Sequence, residues 1–459
     1  VSPTSPTPTT PVGGGPGANR DAALALVRES KFRHITGKPT FRSTWFDDVK
    51  SDPSRSASSN GLQANSKFFA CPWKGVGGVV AVIPLNAKQK RLPHSQACIL
   101  AHSQPINDFS FSPFDEHTLV TASDDGHVKT WTVPEEGVFR PMDKPTVDLN
   151  AGCRVMTLAL HTTAANLLAT CGHDSSVKLW DIESPNPVAE IGGHSELIYD
   201  AVFSWDGRNL ATTCRDRRLR IIDPRRGTVV MEGPGNQGTA PSRLAWFDGL
   251  QRLVTVGNNP GGQRELLLFD TRDLSTPVST IVIDMGSGVL IPIVDPDLSV
   301  LYLGGKGDGN VRYYEINNDP PCVHYLTEAQ FPEPQQGLAM LPKRFVDVKQ
   351  VEVAKFYRLA GTQIQPVSFT VPRAKTSFFQ DDIFPDTFNG LPAHTASEWL
   401  AGSDAQCGRV SLCPEGMVPL SQAPQENKAS AGGGRFGRDA EPANVAVLGS
   451  LLGKMKTFE

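Results

Sequence analysis

The sequence predicts an all-β protein, a seven-bladed β-propeller followed by a C-terminal extension, and three observations predict it. Five strand-like runs end in related motifs, VKTWTV, VKLWDI, LRIIDP, LLLFDT and VRYYEI, whose large apolar positions are Trp131, Trp180, Ile222, Phe269 and Tyr314. Their spacings of 49, 42, 47 and 45 residues lie within or near the period of WD repeats, about 40–45 residues. Six residues before four of these positions stands an aspartate (Asp125, Asp174, Asp216 and Asp308), the exception being Gln263. Between residues 60 and 372, short strand-like runs are broken by turn residues about every ten positions, and helical periodicity is scarce.

Taken in order, residues 1–20 are rich in Pro and Thr, then Gly. They carry too few apolar side chains to offset ordering entropy, so they read as a disordered linker from something upstream. Residues 21–372 are read as the propeller. The coarse blade spans are 60–100, 101–150, 151–192, 193–235, 236–285, 286–330 and 331–372, the first and last being divergent. A ring must close, and an N-terminal strand paired into the last blade removes exposed edges. The segment 24–36, LALVRESKFRHIT, is the expected closing strand. Residues 373–400, rich in aromatics and turns, are expected to pack on the propeller. From 401 to 459 the chain reads as mostly disordered, with VAVLGSLLGKMKTF near its end as a short amphipathic helix weakened by two glycines.

Composition narrows the function classes. A formal net charge of −4 gives no whole-chain attraction to nucleic acid or anionic membrane, so any such binding must be local. No run approaches the roughly 18 apolar residues of a membrane span. The eight cysteines form no C-x-x-C pair. They read as small buried hydrophobes in a reducing, cytoplasmic setting. No phosphate-loop motif, H-E-x-x-H, G-x-S-x-G or Cys/His metal spacing occurs; GGKGDGN at 304–310 is a turn, and GVGG at 75–78 lacks a following helix. No cofactor, metal or catalytic site is expected. The recurring aspartates are read as blade architecture: in a tight turn, Asp125, Asp174, Asp216 and Asp308 accept from backbone and from a histidine opening the repeat, for which His102 and His194 are candidates. His161 and His173 are read as blade residues.

Five further stretches, SKFRHITGKP (30–39), IIDPRRGTVV (221–230), GKGDGNVRYYEI (305–316), LPKRFVDV (341–348) and FFQDDIFPDT (378–387), resemble coronin signatures in coronin order. WFDDV (45–49), DFSFSPFD (108–115) and PLSQAP (419–424) resemble the tandem-propeller subfamily, the POD or coronin-seven type, and the chain is similar to its second half. The resemblance covers about residues 28–400. It implies a seven-bladed ring, a non-catalytic role organising actin filaments in the cytoplasm, and, for tandem members, Golgi and vesicle traffic. A trafficking scaffold with little actin affinity is the alternative reading. Conventional coronins end in a coiled coil. This chain has no heptads there, so no coiled-coil oligomerisation is expected. It also lacks the acidic, Trp-containing tail of many tandem members.

Binding to F-actin, an acidic partner, requires a local basic face. The segment 28–50 is the leading candidate, through Lys31, Arg33, Lys38, Arg42 and Lys50. By resemblance, Lys50 follows FDDV where conventional coronins carry an actin-contacting arginine, and Lys lacks the bidentate fork of Arg. A second arginine cluster spans 215–226. In it Arg225 and Arg226 are expected to be exposed in a turn, available to a filament, another cytoskeletal or trafficking protein, or a phosphoinositide head group. Lys343 and Arg344 form a smaller patch.

Overall fold

A computed structural model describes residues 28–52 and 59–423. The expected linker over 1–20 and the expected helix near 445–458 lie outside the described residues.

Seven four-stranded antiparallel sheets account for the β-structure of the ring. Six are each built from one contiguous stretch of chain and run Gln63–His102, Ile106–Asn150, Val155–Ile191, Ile198–Pro234, Arg243–Asp284 and Leu290–Gln330. They are blades one to six. The seventh combines Gln335–Met340, Glu352–Ala360 and Gln363–Thr370 with Thr36–Pro39 from the start of the chain. The first strand of each blade lies innermost and packs against the first strands of its two neighbours, blade seven against blade one included. Apolar layers fill the wedges between sheets. Phe68, Phe109 and Trp131 pack in one such layer between blades one and two, and Tyr302, Tyr313, Phe356 and Phe369 fill another between blades six and seven.

The closing strand lies C-terminal to the expected 24–36. Pairing runs from Thr36↔Thr370 to Pro39↔Val367, whereas residues 31–34 form a turn. The physical reason is visible in the side chains. Phe32 and Ile35 are buried in the wedge of blades six and seven, which stops this stretch from extending. Gly37 then allows the close approach, since a Cβ there would stand 2.6 Å from Phe369 Cε1 and 2.7 Å from Ala329 Cβ.

The turn aspartates sit in different networks. In blade two the Trp131 indole, which can only donate, bonds Thr121 Oγ1 at 3.0 Å. The Thr121 hydroxyl lies 2.8 Å from His102 Nε2, and His102 Nδ1 lies 3.1 Å from Asp125. This orders one relay of protons from indole to carboxylate. Blade three keeps the Trp180–Thr170 bond at 2.9 Å, but Ser176 and Lys178 take Asp174. In blade four His194 bonds Thr212 at 2.8 Å, while Arg220 pairs with Asp216 at 2.7 Å. Asp308 pairs with Arg264, which also holds Asp284 through two bonds of 2.6 Å. Where no histidine reaches the aspartate, Ser176 and Lys178 take it in blade three, and a buried guanidinium takes it in blades four and six.

Two carboxylates that the repeat register did not single out join neighbouring blades. Asp108 accepts from Thr157 Oγ1 at 2.9 Å and Leu158 N–H at 3.0 Å. Asp200 accepts from Leu244 N–H at 2.8 Å and pairs with Arg243 at 3.0 Å. Burial pushes the Asp108 carboxyl up to about 6.

The C-terminal segment crosses the face that carries the turns between first and second strands. Thr387–Phe388 pairs with Arg409–Val410, and His394–Thr395 runs parallel to Ala164–Ala165 of blade three. The short helix Ala396–Leu400 opens with a capping box from Thr395 and Glu398. Trp399, fully buried, donates to Gly207 O at 3.1 Å, and His161 Nε2 lies 3.0 Å from the same carbonyl. Gly207 has φ +72°, and a Cβ there would meet Thr163 Oγ1 at 2.4 Å, so the turn requires glycine. Ordered pairing continues past residue 400: Arg409 meets Asp297 at 3.0 Å and Phe379 bridges Pro419. The expectation of disorder from 401 therefore does not hold for 401–423, where backbone pairing replaces the apolar content that composition lacks. Residues 424–459 lie outside the described residues.

Two outcomes are expected. Gly37→Val should lower thermal stability by about 1–3 kcal/mol through overpacking, read as a lower melting temperature at fixed scan rate; an unchanged midpoint would show that closure tolerates a bulge. The second concerns pH. Burial holds the His161 imidazole down to about 3 and that of His194 to about 4. Both stay neutral in the native state, while the unfolded chain protonates them below about 6.5. Their contribution is therefore complete above about 6.5 and is lost as pH falls toward 3–4. Asp108 acts in the opposite direction, because its raised value favours the folded state as pH drops through 6. His161→Gln should flatten the fall in urea midpoint between neutral and mildly acidic pH, and equal slopes for variant and parent would remove His161 as its source.

Candidate interaction surfaces

The segment 28–50 lies along the outside of the ring across three blades. Arg28 pairs with Glu315 of blade six at 2.7 Å. Lys38 is exposed on the outermost strand of blade seven. Lys50 donates to His94 O, in the connection closing blade one, at 3.0 Å. The cations differ in what holds them. Arg42 is neutralised by Asp47 at 2.7 Å and stacks 4.9 Å over Trp45. Lys31 donates to Asp382 O at 3.1 Å, and Arg33 donates to Arg28 O at 2.8 Å. A carbonyl orients a cation without cancelling its charge. Among the described residues, Lys31, Arg33, Lys38 and Lys50 make no ion pair, but Lys31 lines a pocket shared with Glu29, Asp297, Glu315, Asp381 and Asp382, so the uncompensated charge of this strip rests on Arg33, Lys38 and Lys50. Lys50 is half-buried, so its ammonium is steered rather than freely swinging.

The second cluster does not join the first. Arg225 and Arg226 belong to blade four, three blades from blade seven, and the expectation that both are exposed fails for Arg225. Its guanidinium lies 4.3 Å over the Trp399 ring, donates to Asp404 at 2.6 Å and also bonds Ser403 O. It is a clamp on the C-terminal segment. Sequence alone hid this because the partners lie almost 180 residues away. Arg226 does project outward, 82 % exposed, with Asp223 at 3.6 Å. Arg220 is buried between Asp216 and Glu232, whereas Arg215 and Arg217 are exposed. The Lys343–Arg344 patch is likewise occupied. Lys343 pairs with buried Asp295, and Arg344 reaches Glu116 of blade two at 3.3 Å while lying over Phe345 and Phe388.

Among the described residues, no group of three or more His, Cys, Asp or Glu is placed to hold a metal ion. No helix among them is long and apolar enough to cross a membrane. The eight cysteines are free thiols. Burial pushes the Cys98 thiol up to about 12, which suppresses the reactive thiolate.

The geometry can now be set beside known proteins. Residues 94–132, 146–181 and 185–223 match the WD domain, G-beta repeat; 364–407 match a type of WD40 repeat; and 25–90 match a domain of unknown function. The chain is 37 % identical to human coronin-2A over 397 residues, 84 % of this chain and 75 % of that protein. It is 36 % identical to Dictyostelium discoideum coronin-A, over 84 % of this chain and 86 % of that one. Against Bos taurus coronin-7 it is 35 % identical over 92 % of this chain but spans 47 % of the relative's length, which fits the tandem type. The crystal structure of the WD40 domain of Toxoplasma gondii coronin superposes with a TM-score of 0.78 at 30 % identity, covering 83 % of this chain and 98 % of that one. Repeat register, ring architecture and sequence identity agree: this chain belongs to the coronin family.

Proposed function

We propose that this chain is a non-catalytic, actin-filament-binding scaffold that organises filaments in the cytoplasm, using the strip from Lys31 to Lys50 as its contact. Family membership supports the partner class. The observation that carries the site is the row of Arg33, Lys38 and Lys50, which make no ion pair among the described residues and lie along the outside of blades six, seven and one, with Lys31 at its end. An acidic filament would supply the missing counter-charges, and such attraction steers encounter and weakens with salt. Arg226 stands apart on blade four and is not needed for this contact. Arg225, engaged by Trp399 and Asp404, is not a contact in this reading, nor does it offer a free phosphoinositide site.

Co-sedimentation of the chain with filaments tests the reading. The parent protein should pellet at low ionic strength and progressively less toward about 0.15 M salt, where the Debye length is about 8 Å. Replacing Lys31, Lys38 and Lys50 together by Glu should cut pelleting several-fold with the melting temperature held, while Arg226→Glu should leave it nearly unchanged. Absence of pelleting even at low salt would overturn the actin reading in favour of a scaffold for other protein partners.

A further inference from the structure

Each blade ends in an outer strand, and a strand edge with unpaired N–H and C=O groups is a template for another chain. Blade six differs from a bare edge because the N-terminal segment supplies a second wall. A groove of about 260 Å³ runs between Arg28, Ser30 and Arg33 on one side and Val323–Leu326, the start of the outer strand, on the other. Three features of this groove converge on one kind of occupant.

The first is backbone valence. Asn317 N–H donates to Cys322 O, which fixes Cys322 as facing the neighbouring strand. Alternation then turns His324 inward, opposite Glu315, and Val323 and Tyr325 outward; Val323 is buried, so Tyr325 presents the open groups. Among the described residues no other element bonds the backbone of Val323–Leu326 from the groove side. The second is charge. Among the described residues Arg33 has no carboxylate partner; its Nη2 is spent on the Arg28 carbonyl, leaving the other guanidinium donors for the groove. Arg28, by contrast, is already neutralised by Glu315. The third is apolar surface: Tyr325 is 55 % exposed at the groove although its ring packs on Tyr314 at 5.5 Å.

We infer that the outer edge of blade six is a strand-addition site for an extended acidic segment of a partner protein. Its backbone pairs with Tyr325, a carboxylate seats on Arg33, and an apolar side chain covers the Tyr325 ring. Main-chain bonds supply affinity and the guanidinium supplies selectivity, as in other edge-binding modes. The inference shares Arg33 with the strip of the filament reading, but its other contacts lie on the edge of blade six, so the two readings fail separately.

The test uses the whole chain and a fluorescein-labelled octapeptide of alternating valine and glutamate, with the valine–lysine octapeptide as control. Fluorescence anisotropy should show saturable binding of the glutamate peptide, none of the lysine peptide, and loss at high salt. Arg33→Glu should weaken binding by about tenfold or more, and Arg33→Lys should restore part of it. Tyr325→Pro removes the outward N–H at an edge that tolerates proline, and should abolish binding while leaving filament pelleting unchanged. Hydrogen exchange gives a readout that needs no variant: the Tyr325 amide should slow when the glutamate peptide is added. Equal binding of both peptides, full binding by a folded Tyr325→Pro variant, or unaltered exchange would each overturn the proposal. So would slow exchange of this amide without peptide that becomes fast on deletion of residues 1–27, since the chain's own N-terminus would then fill the groove.

Discussion

Ring closure is the constraint on which the rest of this structure depends. Six blades are assembled from contiguous chain, but the seventh exists only because Thr36–Pro39 meets Gln363–Thr370, more than three hundred residues away. That pairing covers an edge that would otherwise stay open. It also requires the chain to arrive from outside the ring, and this is why the basic segment lies on the surface. Loop-closure entropy for so distant a contact grows only slowly with length. The apolar wedge of Phe32, Ile35, Phe356 and Phe369 is the natural source of the offsetting free energy.

Once closed, the ring distributes its charges in a particular way. Carboxylates near the axis, Asp108 and Asp200, accept the N–H groups of the next blade. Those in the turns are matched by histidine in blade two, by lysine in blade three and by arginine in blades four and six. Burial opposes ionisation at Asp216, yet the Arg220 guanidinium beside it holds its carboxyl down at about 2. These pairs register one strand or blade against another and leave little free charge. A cation count from sequence therefore overstates the binding surface: Arg220, Arg225, Lys343 and Arg344 are all engaged within the fold. What survives is the small set whose partners are carbonyls or none.

Much of the fold was legible in the sequence because its signals are local and repeated. The spacing of Trp131, Trp180, Ile222, Phe269 and Tyr314 follows directly from one four-stranded unit, and their strands occupy the same position in blades two to six. Where the signal was not periodic, legibility fell. The closing strand was misplaced because its boundary is set by Gly37 against Phe369, a contact invisible along the chain. The order of residues 401–423 was missed because their partners, such as Asp297 for Arg409, lie in distant turns. Arg225 and Arg226 read as equivalent neighbours in a turn, yet one stacks on Trp399 and the other meets water. Only the long-range partner separates them.

That last pair clarifies how a scaffold of this kind divides its surface. The face crossed by the C-terminal segment is committed: Trp399 and His161 share the Gly207 carbonyl, and Arg225 closes over both the indole and Asp404. A ligand for Arg225 would have to displace an aromatic contact and an ion pair together. The outer edge carries no such commitment. There the N-terminal segment is pinned by Phe32 and Ile35, while Lys31, Arg33 and Lys50 are oriented by carbonyls and, among the described residues, nothing bonds the outward backbone groups of Tyr325. Recognition at such a place needs no rearrangement of the ring, because the rigid element and the uncompensated groups already lie side by side. Rigidity on one face and unsatisfied valence at the rim are thus two consequences of the same closure.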